Sequence, residues 1–562
     1  MGMIKCKLNV RLNAIPLMAV SLLAVFGMAC TKTELSPRDR YRIETSADSV
    51  KFDENGGERT ITFSTNAQWQ INTASAWLSF PSGTTGEVAD NQTVTVSAPA
   101  WDQANSSRTA LFSIKSGNLA TGATVWHFIT VIQTGPVVVH RDPGIWSPQD
   151  LIDFGNAVAV TPQDYTKWAD ANGVVNLMAD LNFGTTPIPC IGTQSISATV
   201  VAPAELAFGG TFDGNGHTIK GTLDGSGKAI VALFTRLAPT GIIQNLTVDV
   251  TATNDYAGTD VQRHLAAIVG FSINGTTTAI KNCVAKGTLT LTGAMTNPRV
   301  GGIVAYGRCI IDNCSNEATI NAIANRVAGI CGAGSAATVL TNCTNNGNIT
   351  VDCLAAQAGG IIGQSQAAIS GCTNNGKITA TSNGATQIGG IAGQAQNANT
   401  MGTCTNNGEI VLNSSATAPT NACGAGGIAG TVNNAGFIFS NCTNNGKVTS
   451  NVNDANVAVG GIIATTTLAN ALTGCQNTAT AVITSGANAG GMIGRTSVVN
   501  VLTNCGNAGT ISPLAGATIP AIWFGGLVGQ RGATAPTLTG CTFAGTVKGV
   551  PGTSANAIGT NP

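Results

Sequence analysis

The sequence predicts an all-β chain: an Ig-like β-sandwich followed by a right-handed parallel β-solenoid with a short N-terminal capping helix. Three observations lead there. First, Cys343-Thr-Asn-Asn-Gly347 is repeated at Cys372, Cys404 and Cys442, each time followed by a polar residue and then Ile or Val. Looser copies begin at Cys283, Cys314, Cys475, Cys505 and Cys541, with successive gaps of 31, 29, 29, 32, 38, 33, 30 and 36 residues. Self-similarity at such a period marks a solenoid or array. Second, Gly359-Gly-Ile-Ile-Gly363 and its relatives at Gly389, Gly426, Gly490 and Gly525 keep step with the cysteine phrase, with weaker versions at Gly301, Ala328 and Gly460. Third, helical periodicity is absent, while β-branched residues, Gly, Asn and Thr dominate, as in strand and turn.

Each unit therefore reads as an apolar strand, a variable loop, a cysteine strand, an Asn-Asn-Gly turn and a return strand. The turn is expected to use the left-handed conformation that Asn tolerates and Gly adopts freely. In-register stacking sets Cys over Cys, Ile over Ile and Asn over Asn, and stacked Asn side chains hydrogen-bond along a cross-β axis. Nine coils would rise roughly 43 Å at ~4.8 Å per strand. A propeller of such short blades fits less well, because a blade needs four strands.

The Gly-Gly-Ile/Leu-Val-Gly phrase, followed by a short loop, Asn-Cys and a turn, resembles the GLUG repeat of bacterial surface proteins, over about residues 265–548. That resemblance implies an adhesin or an accessory part of a surface peptidase, with no catalysis by the repeat itself.

In chain order, residues 1–29 carry Lys5, Lys7 and Arg11, an apolar run from Ala14 to Phe26, then Gly27-Met-Ala-Cys30. This pattern is a signal peptide, too short for a stable membrane span. Its end resembles a lipobox, although Gly27 stands where Leu is usual, and implies lipidation of Cys30. Residues 30–42 read as a polar tether. Residues 43–135 alternate in short strands, as in Arg59–Phe63, Thr93–Val96 and His127–Ile132, and predict a sandwich. The phrases Phe63-Ser-Thr-Asn-Ala-Gln-Trp69, Trp77-Leu78 and Val131-Ile-Gln-Thr-Gly135 resemble a BACON domain, a module of surface glycan-handling proteins. Trp69 and Trp77 read as core, whereas Trp101, in a loop beside Asp102, is the candidate ligand contact.

Residues 136–250 read as a linker, a capping helix opened by Ser147-Pro-Gln-Asp150, and the first coils. Their Gly210-Thr-Phe-Asp-Gly-Asn-Gly-His-Thr-Ile219 phrase resembles the segment that precedes GLUG repeats, and a solenoid needs such an atypical end. Repeats fill 251–549, and 550–562 reads as a C-terminal tail.

Lys+Arg and Asp+Glu both total 27, so no charge imbalance points to nucleic acid. Of 16 cysteines, nine share one register and read as buried thiols. Cys190, Cys309, Cys331, Cys353 and Cys423 lie off register, where an isolated bridge is conceivable. No zinc spacing occurs, so neither metal nor cofactor is expected. Residues 301–562 hold only 12 charged residues, too few for the converging acids of a lyase or hydrolase. Lys377, Glu409 and Lys447 read as an exposed stripe, and Asp213 and His217 as a tight turn capped by the histidine. The best reading is a non-enzymatic lipoprotein of the outer membrane, surface-exposed or periplasmic, that binds glycan for polysaccharide capture through Trp101, Trp523 or Phe524. An adhesin for host or neighbouring-cell surface proteins is the alternative, and a β-helical lyase or hydrolase the second alternative.

Overall fold

The computed structural model describes residues 36–104, 106–136, 143–160, 162–192, 206–258, 262–275, 277–293, 297–353, 356–382, 384–397, 399–414, 423–517 and 523–559. The signal segment and Cys30 lie outside the described residues. The chain divides into two compact units, Met1–Val137 and Val138–Pro562.

In the first unit, alternating apolar residues close two sheets over one core. Ile43–Thr45, Gly57–Thr65 and Ala89–Ala98 form a three-stranded antiparallel sheet. The second sheet has five strands, in the order Ser49–Phe52, Ala123–Thr134, Ser107–Asn118, Trp69–Thr73 and Thr85–Gly86. Phe63, Trp69, Val94, Phe112, Ile114, Ile129 and Val131 are buried between them. Phe63 meets Trp69 edge to face at 5.0 Å, the geometry that aromatic quadrupoles favour.

The second unit is a parallel β-solenoid. One coil runs Gln357–Gly359, Ile362–Ser365, Ala368–Ser370, Thr373–Asn374 and Ile378–Ser382. Each segment pairs in parallel, without slip, with its counterparts on the adjoining coils, so that Ile362 lies beside Cys331 and Ala392. The stacks comprise two sheets of ten strands, one of 12 and one of 21. Ile303, Ile330, Ile361, Ile391, Ile428 and Ile462 form one buried column, and Ile320, Ile349, Ile378 and Ile410 another. Each such side chain contributes about 1.5–3 kcal/mol on burial.

The first Asn after each Thr of the phrase points inward. Asn345 Nδ2 donates to Asn374 Oδ1 at 2.8 Å, Asn374 to Asn406 at 2.8 Å, Asn406 to Asn444 at 2.8 Å and Asn444 to Asn477 at 2.8 Å. The second N–H of each closes a local bond, as from Asn374 to Gly376 O at 3.0 Å. The next Asn builds an outer ladder, with Asn375 Nδ2 donating to Asn346 Oδ1 and Asn407 to Asn375, both at 2.8 Å. Across the interior, the second glycine of each Gly-Gly pair abuts the inner ladder: a methyl group at Gly360 would overlap Asn374 Oδ1 and the Gly390 carbonyl. The two repeated phrases are thus two sides of one contact.

The corner that bends each coil differs from the expectation. Left-handed backbone falls on the residue before the cysteine, at Asn313 (φ 50°), Asn342 (φ 54°), Gly371 (φ 63°), Thr403 (φ 51°), Asn441 (φ 52°) and Asn504 (φ 53°). The glycines of the Asn-Asn-Gly phrase do not have positive φ. Gly376 is required by close approach instead, since a Cβ there would overlap the Gly347 carbonyl on the coil below. In the Gly210–Ile219 phrase the cap is likewise Asp213, whose Oδ1 accepts the Asn215 N–H at 2.8 Å, while His217 turns to Asp180 at 3.2 Å.

Both ends of the stack are covered. The helix Pro148–Val158 opens with a capping box in which Asp150 Oδ2 accepts the Ser147 N–H at 2.9 Å. It buries Leu151, Phe154 and Val158, and Phe154 meets Trp168, Phe208 and Phe212 at 5.8, 5.6 and 5.9 Å. At the other end, the segment expected as a tail folds back. Val550–Pro551 pairs antiparallel with Thr546–Val547, and the Leu527 N–H donates to Ala557 O at 2.7 Å. An open edge would invite further pairing, and this segment occupies it.

Cys283, Cys314, Cys343, Cys372, Cys404, Cys442, Cys475 and Cys505 are buried, and Cys541 on the last coil is half-buried. Their thiols donate to carbonyls, as Cys343 Sγ does to Thr341 O at 3.3 Å. The neighbouring Cys404 thiol and burial together push Cys442 up to about 12. Off register, burial pushes Cys309 up to about 11 and Cys331 higher still.

Asn374→Ala should destabilise the solenoid by about 1–3 kcal/mol for each amide group left orphaned on its neighbours; denaturant unfolding followed by circular dichroism measures this. Iodoacetamide should leave the eight buried register thiols intact in the native protein and modify them in denaturant without reductant. Mass-spectrometric detection of disulfides among Cys343, Cys372, Cys404 and Cys442 would contradict the thiol ladder.

Candidate functional site

Period-two alternation decides what the sandwich offers to a ligand. On the strand Ala123–Thr134, Ile129 and Val131 point into the core, so Trp126 and Phe128 point out. They are 48% and 56% exposed. Their rings are parallel within 13°, with centroids 6.3 Å apart. Leu111, on the adjoining strand, is 50% exposed and extends the patch. Lys115, paired across the strands with Trp126, holds its Nζ 5.2 Å from the centre of the indole ring.

These rings border two hollows. A cleft of about 790 Å³ is lined by Arg38, Tyr41, Arg42, Glu44, Trp126, His127 and Phe128, among others. The other, of about 420 Å³, lies against Asn72, Thr73, Leu111 and Phe128. His127 Nε2 lies 2.8 Å from Asp48 Oδ1 and 3.2 Å from Thr45 Oγ1, which fixes the imidazole at the cleft wall. Aromatic faces, a cation and scattered neutral hydrogen-bonding groups are what a saccharide uses: C–H faces stack on rings, and hydroxyls bond at the rim.

The residues singled out in the sequence are placed differently. Trp101 is half-buried with one face taken: Arg108 Cζ lies 4.3 Å from the centre of its ring and 4.1 Å from that of Trp77, so one guanidinium serves both indoles. Its Nε1 donates to Ser106 Oγ at 3.3 Å. Phe524 is a correction, since it is 5% exposed, pairs with Ala489 and belongs to the solenoid core. Trp523 is half-buried, and its Nε1 is buried without a hydrogen-bond partner. The Trp126–Phe128 pair carried a signal in its i, i+2 spacing, but reading it required knowing which face of the strand was inward.

Three lysines on the solenoid pair with acids along its axis. Lys220 meets Asp249 at 3.1 Å, Lys286 meets Glu317 at 3.1 Å, and Lys377 meets Glu409 at 2.7 Å. Exposed pairs of this kind contribute about 0–1 kcal/mol each. Asp213, accepting from Gln244 at 2.6 Å and from Asn245 at 3.0 Å, is tied into the stack. Among the described residues, no three His, Cys, Asp or Glu side chains are grouped to hold a metal ion. Also among the described residues, no helix is long and apolar enough to cross a membrane.

No protein-family model matches the chain. Halomucin of Haloquadratum walsbyi is 28% identical over 177 residues, a segment that spans 31% of this chain and 2% of halomucin. Among solved structures, a Bacteroides ovatus xyloglucanase bound to a heptasaccharide is 27% identical over 19% of this chain and 21% of its own, with a TM-score of 0.15. A candidate immunoglobulin A1 protease from Bacteroides ovatus is 15% identical over 57% of this chain and 78% of its own, with a TM-score of 0.31.

Proposed function

We propose that this chain is a non-enzymatic cell-surface protein that binds glycan, as an accessory of polysaccharide capture. The observation that carries the reading is the exposed, parallel Trp126–Phe128 pair, with Lys115 over the indole ring, beside a cleft rimmed by His127 and Arg42. Isolated exposed apolar residues are ordinary, but Leu111, Trp126 and Phe128 form a contiguous patch of the kind that marks an interaction surface. The solenoid supports the same role as a long surface with neutral, Asn- and Thr-rich faces. The likeness to a segment of halomucin supports placement outside the cell.

Trp126→Ala should weaken retention on polysaccharide affinity gels by about tenfold, the loss of one good stacking contact, while leaving the circular dichroism spectrum unchanged. Trp101→Ala should instead lower thermal stability, because it removes one wall of the Arg108 contact. Equal retention of wild type and Trp126→Ala on every glycan tested, with capture of a host surface protein through the same patch, would favour the adhesin. Release of new reducing ends or unsaturated products would overturn the non-enzymatic reading.

We propose that Cys30 is lipidated and tethers the protein to the outer membrane. Cys30→Ser should move the protein from the detergent phase to the aqueous phase on partitioning, and unchanged membrane association would refute the anchor.

A further inference from the structure

Three arginines of the early coils stand without the cross-coil ion pairs that Lys220, Lys286 and Lys377 make. His264, Arg299 and Arg326 occupy one register position on three successive coils. On the adjoining sheet, Phe271 and Tyr306 share another register position, and Arg308 follows two residues after Tyr306. The two rings meet edge to face at 5.3 Å. Arg299 Cζ lies 4.3 Å from the Tyr306 ring centre; Arg308 Cζ lies 5.2 Å from it and 5.5 Å from that of Phe271. The three arginines and both rings are half-buried, leaving one side open to solvent.

What these cations lack is an anion. Arg299 Nη1 donates to Gln262 Oε1 at 2.9 Å, Arg326 Nη1 to Asn297 Oδ1 at 3.2 Å and Arg308 Nη2 to Tyr306 Oη at 3.3 Å. All three acceptors are neutral, and no carboxylate among the described residues forms an ion pair with these arginines. The Nε of each is buried without a hydrogen-bond partner. His264 is fully buried, and neither ring nitrogen is hydrogen-bonded. Burial and the nearby Arg326 charge hold Arg299 down to about 10. Clustered like charges with unsatisfied donors are costly unless a counter-charge completes them.

We propose that Arg299, Arg308 and Arg326, with Tyr306, form a binding site for an acidic polysaccharide. The guanidinium fork suits the planar carboxylate of a uronate and the oxygens of a sulfate. Successive rungs of a parallel sheet are spaced by about 4.8 Å, close to the length of one hexose unit, so Arg299 and Arg326 meet consecutive sugars of a chain lying along the axis. Tyr306 supplies the apolar face. A nucleic acid would require a long basic track, and the chain has equal numbers of acidic and basic residues. This site lies on the solenoid and is independent of the aromatic pair on the sandwich.

The test is affinity electrophoresis of the mature chain in gels containing polygalacturonate, chondroitin sulfate or neutral glucan, with single-stranded DNA as competitor. Wild type should be retarded by at least one acidic polymer, and added salt should weaken that retardation. Because chondroitin sulfate carries both groups, retardation by polygalacturonate assigns uronate recognition, and retardation by chondroitin sulfate alone assigns sulfate recognition. Arg299→Gln/Arg326→Gln should weaken acidic retention about tenfold or more while leaving neutral-glucan retention, which depends on Trp126, as in wild type. If that double variant unfolds, the salt dependence of the wild type and the single Arg308→Gln variant carry the test. The proposal is overturned by absent retardation in both acidic gels, by salt-independent retardation, by undiminished retention of folded variants, or by DNA displacing the polysaccharide at equal charge.

Discussion

A side-chain amide in a dry interior brings two donors and an acceptor, and each must find a partner on a neighbouring coil or in its own turn. The inner asparagines of this solenoid meet that demand jointly: each gives one N–H forward along the axis, one to its local turn, and receives one from behind. None is satisfied alone. The requirement propagates: from Asn316 to Asn507 each coil carries asparagine at the same register, and at the far end Asn507 donates to the Gly526 carbonyl instead. The space opposite must then be empty enough for the amide, which is why the second glycine of the Gly-Gly phrase recurs in step. The register of these coils follows from keeping this column continuous, and a slip by one residue would turn it to solvent.

Much of this was legible because stacking turns a three-dimensional column into a one-dimensional period. The cysteines, isoleucines and asparagines announced their columns by recurring. The location of the left-handed corner was not legible, because Asn and Gly stand both before the cysteine and after the Thr-Asn pair. Either place fits the local chemistry of a turn. Only the coil below decides: the Gly347 carbonyl crowds Gly376, whereas Gly371 takes the positive φ.

Candidate ligand contacts were harder to read, for a related reason. Trp101 looked available because a loop hides the arginine that stacks on it, and Phe524 because its insertion hides the strand it joins. Trp126 and Phe128 were visible as aromatics, yet their outward direction depends on the pairing that sends Ile129 inward. Arg299, Tyr306 and Arg326 are separated in sequence and meet only once two coils have closed. Sequence shows columns well and shows poorly what two neighbouring columns hold between them.

The outer asparagines have a bearing on how long the molecule lasts. Asn346-Gly347, Asn375-Gly376, Asn407-Gly408 and Asn445-Gly446 are the dipeptide most prone to deamidation, in which the glycine nitrogen attacks the preceding side-chain carbonyl. Here that nitrogen is engaged, with its N–H donating to the coil below at 3.1–3.2 Å in all four repeats. The target amides are engaged as well, Asn375 donating to Asn346 and accepting from Asn407. Cyclisation would require both bonds to break and the backbone to rotate at a bend held between two paired strands. The ladder that sets the register therefore also slows chemical ageing at the positions where this chain is most vulnerable.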